Sequence, residues 1–158
     1  MNRELAAYLR LQVLITAVLN FFIAGMIAGL IYHQAVLVPA DSVSVVIDIM
    51  ITSFLTFAIT APFARASLRR DKTGGVIEAK SLYTRLLSRL SRRPLLMCIL
   101  IGTCTVFLLS VSMVSLLSFL HVISVPFYLY VAVKSAFCSA LGAFVTGTVL
   151  YAGMLRTE

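Results

Sequence analysis

Charge is the scarcest property of this 158-residue chain: Asp, Glu, Lys and Arg together make up 12% of it, against 61% hydrophobic residues. Soluble domains carry roughly twice that charge fraction, so a water-soluble globular fold is excluded. The broad polar face that breaks up a soluble helix is also missing from four long blocks, about 11–32, 43–64, 95–119 and 127–155. Each reaches the roughly 20 apolar residues needed to cross a bilayer as a helix. Barrel strands would alternate apolar and polar residues over about ten positions, and no block does so. Cysteine is sparse: Cys98, Cys104 and Cys138 all fall inside these blocks and form no C-x-x-C pair. A redox motif and a zinc site are therefore unsupported, and the three read as small buried residues. No G-x-S-x-G, H-E-x-x-H or Walker A sequence is present, and no two carboxylates are neighbours, so no enzyme class is indicated. No cofactor is expected either.

What remains is an all-α, polytopic membrane protein: a single four-helix transmembrane domain over 1–158, packed as a bundle. The first block follows "MNRELAAYLR", which gives it the basic start of a signal peptide. It is too long for one and lacks a polar cleavage region, so it is expected to stay in the mature chain.

The few charges are placed unevenly. Between Arg65 and Arg93 lie nine basic and two acidic residues, and that excess equals the net charge of +7 for the whole chain. The connections "HQAVLVPADS" and "LHVISVPF" hold no Lys or Arg. By the positive-inside rule the loop 65–94 is cytoplasmic, and Arg3, Arg10 and Arg156 put both termini on its side. Such a bias argues for one orientation and against a dual-topology exporter. It also removes the need for nucleic acid as a partner, because the basic excess has a topological cause.

Within the loop, "DKTGG" makes a turn and "VIEAKSLYTRLLSRLSRR" an amphipathic helix, with Tyr83, Leu86, Leu87 and Leu90 on one face and Arg85, Arg89, Arg92 and Arg93 on the other. A helix of this kind can lie on anionic lipid headgroups. A topology-setting linker, or a docking surface for an acidic partner, would use the same residues.

Two charges stand inside the spans. Asp48 follows Pro39 by nine residues in the first half, and Lys134 follows Pro126 by eight in the second. At 1.5 Å per residue they lie about 7 Å and about 10 Å below the outer boundary. An isolated charge at that depth is costly, so each needs a partner or a wet cavity, and the nearest candidate is the other. The competing expectation is that Lys134 snorkels outward while Asp48 caps a ragged helix start. Because both halves begin on the same side, a duplication would be parallel, about an axis along the membrane normal.

Polar and small residues mark an expected inner face on every span. Thr52, Thr56 and Thr60 continue from Asp48 in steps of four, and Cys138, Gly142 and Thr146 continue from Lys134. The first span offers Thr16, Asn20, Ala24 and Ala28 beside the G-x-x-x-G of Gly25 and Gly29, and the third offers Ser112, Ser115 and Ser118. Close helix packing and a hydrated route both select such residues. Pro62 would open backbone hydrogen bonding near the inner end of the second span. His33 and His121 sit at outer span ends as interfacial residues, and a two-His metal site would need Asp41 as a third ligand.

The pattern "LNFFIAGMIAGLIYH...VP...SVVIDIMITSFLTFAIT", followed by "VAVKSAF" in the second half, resembles small uncharacterised bacterial inner-membrane proteins with four spans. That resemblance implies an architecture and no function. The functional expectation is binding or permeation of a small solute, ion or lipid at an Asp48–Lys134 pair near the outer face. The alternative is an accessory or structural subunit of a larger membrane complex. Either way a homo-oligomer or a partner membrane subunit is expected, because one small bundle has little room for a central route.

Overall fold

A computed structural model describes residues 3–33, 35–70, 77–78, 81–91 and 93–156. In chain order the elements are α1 (Arg3–Tyr32), β1 (Leu37–Pro39), α2 (Ser42–Arg70), β2 (Ile77–Glu78), α3 (Leu82–Ser91), α4 (Pro94–Phe119), β3 (Ser124–Pro126), α5 (Phe127–Met154) and β4 (Leu155–Arg156). Four of the helices, α1, α2, α4 and α5, are long and apolar enough to cross a membrane. The second is longer than its apolar block. It runs through Pro62 and on to Arg70, because Arg69 and Arg70 in its last turn suit the negative end of the helix dipole.

The helix ends follow local chemistry. The Ser44 amide donates to Asp41 Oδ2 at 3.0 Å, so Asp41 is the N-cap of α2, and its carboxyl is held below the usual range by hydrogen bonding from Ser44. Asp48 therefore does not cap this helix. A reciprocal box opens α3: the Thr84 amide donates to Ser81 Oγ at 3.1 Å and the Ser81 amide to Thr84 Oγ1 at 3.0 Å. For α5 no side chain caps the start, and the Phe127 amide donates instead to the Val36 carbonyl of the other connection, at 3.2 Å.

His121 closes α4. The Val122 amide donates to the Leu117 carbonyl at 3.1 Å and the His121 amide to the Ser118 carbonyl at 3.3 Å, with His121 at φ 52°. That is a Schellman ending with a non-glycine residue in the left-handed position. His121→Gly is expected to stabilise the protein by about 1 kcal/mol, visible as a raised midpoint of detergent or thermal unfolding.

Packing joins α1 to α5, α5 to α2, and α2 to α4, while among the described residues α4 makes no extended contact with α1 or α5. The spans thus form an open row, α1–α5–α2–α4, and the bundle arrangement expected is not supported. Burial agrees, since 28% and 33% of the apolar windows of α2 and α5 are buried, against 6% for each of α1 and α4. The inner helices are the returning span of each half.

The row obeys a two-fold pattern. Each first span (α1, α4) packs on the other half's returning span (α5, α2), and the two returning spans meet at the centre. Equivalent connections also pair: β1 and β3 form an antiparallel ribbon centred on Val38 and Val125. The amide of Ala40 extends it by donating to the Ile123 carbonyl at 2.9 Å. This satisfies backbone groups that would otherwise be orphaned where the chain reverses.

At the opposite end β2 lies parallel to β4, and α3 packs on α5 and α4. We call the two ends the connector end and the loop end. The main apolar core is at the loop end, where Phe57, Ala61 and Leu68 of α2 meet Leu141, Val145 and Leu150 of α5, with Leu5, Tyr8 and Leu9 of α1 against the same group. Toward the connector end small and polar side chains take over.

Candidate functional site at the connector end

The packing of the two returning spans against each other brings two charges together. Lys134 Nζ of α5 donates to Asp48 Oδ1 of α2, forming an ion pair between the two central helices. Lys134 also donates to the Tyr130 hydroxyl at 3.2 Å, one helical turn back on the same face, and stands 5.5 Å from that ring's centroid. The Tyr130 ring in turn meets Tyr32, the last residue of α1, edge on at 5.1 Å. Three helices therefore supply one cluster. The lysine side chain is 12% exposed and the aspartate 32%, so the cation is enclosed while one edge of the carboxylate stays accessible. Lys134 does not snorkel.

Register carries the pattern down the molecule. The two returning spans run parallel, with Asp48 opposite Lys134 at one end. At the other, Gly153 leaves room for Leu68 where a β-carbon would collide with it. The offset is 86 residues for the ion pair and one fewer at Gly153, so Thr60 and Thr146 lie at matching depth, about 18 Å beyond the pair.

Thr52, Ser53, Thr56 and Thr60 are all buried along α2, as are Ser135, Cys138 and Thr146 along α5. Among the described residues, the hydroxyls of Ser53 and Thr60 on α2, Thr146 on α5 and Ser110 on α4 are buried without a hydrogen-bond partner. Thr16, Ser112 and Ser135 behave differently, each donating to the carbonyl four residues back at 2.8 to 2.9 Å. An orphaned buried hydroxyl costs about 1 to 3 kcal/mol, so this row is an expensive lining for a purely structural interface.

The first span contributes through close approach. The half-buried Asn20 donates to the Thr16 carbonyl at 2.9 Å, and its amide fills the space over Gly142 where a β-carbon would collide. A β-carbon on Gly25 would meet Ser135 Oγ at 2.8 Å. On Gly29 it would meet nothing within 4 Å, so only one glycine of the G-x-x-x-G lies at a tight contact.

Three further expectations are corrected. Ser112, Ser115 and Ser118 are exposed and form no inner face, because α4 turns Met97, Gly102 and Ser110 inward instead. Ser112 satisfies its own hydroxyl on the Leu108 carbonyl and needs no neighbouring helix. Cys104 lies on the same outward side, whereas Cys138 is buried. In α3 the helix turns Leu87 and Ser88 inward and leaves Tyr83 and Leu86 exposed. Arg85, Arg89 and Arg93 are exposed; Arg92 and the side chain of Cys98 lie outside the described residues.

The two histidines serve as helix ends. His33 Nδ1 lies 2.9 Å from the Leu30 carbonyl, and His121 holds the left-handed turn described above. Among the described residues no group of three His, Cys, Asp or Glu is placed to hold a metal ion.

Sequence reading missed Tyr130 and Tyr32, although the one-turn spacing of Tyr130 from Lys134 is a usable signal. Ser53 and Ser110 lie off the four-residue steps and gave none. No family model, curated protein or solved structure matches the chain.

Proposed function

We propose that this chain is a non-enzymatic, multi-pass protein of a bacterial cytoplasmic membrane, with the loop end and both termini inside. In this reading it binds or passes a small solute or ion along the contact of α2 with α5. The Asp48–Lys134 pair guards the outer mouth. The observation that carries the reading is the pair of buried hydroxyls, Thr60 and Thr146, that lie at matching depth on α2 and α5 below that ion pair and have no hydrogen-bond partner among the described residues. Thr52, Thr56 and Thr60, buried one turn apart on α2, put hydroxyls about 6 Å from one another, which a single water or small ion can bridge with ordinary hydrogen bonds.

The test uses purified protein in vesicles, with proton and potassium flux followed by dyes trapped inside. Wild-type protein is expected to raise one of these fluxes over empty vesicles. Thr60→Val should cut it about tenfold while leaving the fold intact, because one hydrogen-bonding position in the path is lost. Flux indistinguishable from empty vesicles would remove the reading.

A second reading has its own support. The open edge of the row presents Thr103, Cys104, Ser112 and Ser115 of α4 away from the rest of the chain. Small polar residues on an outward membrane face favour a neighbour there, either a second copy or another membrane subunit. Purification of a stoichiometric partner together with absence of flux would select this accessory role.

A further inference from the structure

We infer that α3 is a binding element for anionic phospholipid headgroups, seated at the surface of the leaflet on the loop side. This rests on the four spans crossing the bilayer and on no property of the ion pair or seam.

Three faces of the helix carry the inference. One holds it to the protein: Leu87 is buried in the core, and Ser88, also buried, donates through Oγ to the Leu155 carbonyl at 3.3 Å. A second is apolar and uncovered among the described residues, with Leu82, Tyr83 and Leu86 at 87%, 67% and 64% exposure. The third is basic, carrying Arg85 and Arg89, both exposed. If the apolar face were only a consequence of helix packing it would point at α4 and α5, and it does not.

Position then selects the occupant. The last residue of α3 is Ser91 and α4 begins at Pro94, so the helix ends within a few residues of a membrane span. An apolar strip held there meets the acyl and headgroup boundary, and arginines beside it meet phosphate. The start of α4 adds to this, since Arg93 occupies its N-cap without a side-chain cap and no acid lies in the first turn. Headgroup phosphate would satisfy the cation and the free helix amides together.

The chain has no tryptophan, so Leu86→Trp introduces a single reporter on the outward face. The full-length protein is reconstituted into vesicles of phosphatidylcholine mixed with phosphatidylglycerol. Either one lipid or the other carries acyl chains brominated near the headgroup. Both brominated lipids should quench the reporter, and phosphatidylglycerol should quench more strongly at equal mole fraction. Arg85→Gln and Arg89→Gln should each lower that preference about fivefold. Leu82→Trp, also exposed, repeats the measurement should Leu86→Trp fail to give a wild-type helical circular dichroism spectrum. A reporter quenched by aqueous iodide and untouched by brominated lipid would overturn the inference. Equal quenching by the two lipids would also overturn it, because headgroup selection would then be absent.

Discussion

Asp48→Leu is expected to destabilise the protein by about 3 kcal/mol and Lys134→Met by about 2 kcal/mol, while the double variant stays within about 1 kcal/mol of wild type. The order follows from exposure. Removing the carboxylate strands an ammonium that is only 12% exposed, whereas removing the lysine strands a carboxylate with 32% exposure that water can reach. Each single change leaves a charge whose desolvation is no longer offset, and the double change removes both penalties. Ordinary interhelical hydrogen bonds in membranes average about 0.6 kcal/mol, so losses of this size identify a charge effect and not merely a lost contact. Equilibrium unfolding in mixed detergent micelles reads all three. Single losses below about 0.6 kcal/mol would mean that the two charges are solvated separately.

Gly142→Leu is expected to separate α1 from α5. The site has no space for a side chain, because a β-carbon on Gly142 would lie 2.8 Å from Asn20 Cγ and 3.2 Å from Asn20 Cβ. The amide end could rotate away; the Asn20 Cβ is fixed to the backbone of α1 and cannot. Gly142→Ala should therefore cost about 1 to 3 kcal/mol by overpacking, and leucine more. Asn20→Ala should recover only the part of the alanine variant's loss that comes from the amide and Cγ, because the Cβ contact at 3.2 Å remains. Gly29→Ala is the control, expected within about 0.5 kcal/mol of wild type because the space above it is open. Protection of a cysteine placed at Val13, which approaches Gly147 on the same interface, should fall in step with these losses.

The four spans were legible because hydrocarbon demands long apolar runs, and little else in a sequence produces them. The charge pair was legible for a related reason: two opposite charges at matched depth have few other partners in that medium. Helix rotation was much less legible. In a soluble helix the polar side marks solvent, but α4 is apolar almost all round, so nothing local tells Ser110, which faces α2, from Ser112, which does not. The same ambiguity separates Gly25 from Gly29. Helix order followed from these rotations, so a row with crossed partners could not be told from a closed bundle. The landmarks shared by the halves, Pro39 with Pro126 and Asp48 with Lys134, did foreshadow the two-fold pattern of contacts. The ribbon of β1 with β3 was hidden because three residues a side carry no readable alternation.

The row's centre, the matched depth of Thr60 and Thr146, and the proposed seam all follow from the register in which α2 and α5 meet through their charges. Solid-state NMR on protein in lipid bilayers, labelled with carbon-13 at the aspartate carboxyl and nitrogen-15 at the lysine ammonium, measures it without mutation. Lys134 is the sole lysine in the spans, and Asp48 the sole aspartate within them. The account predicts a dipolar coupling for one aspartate–lysine pair that corresponds to a separation of about 4 Å or less. Absence of any such coupling in folded, bilayer-embedded protein would contradict it.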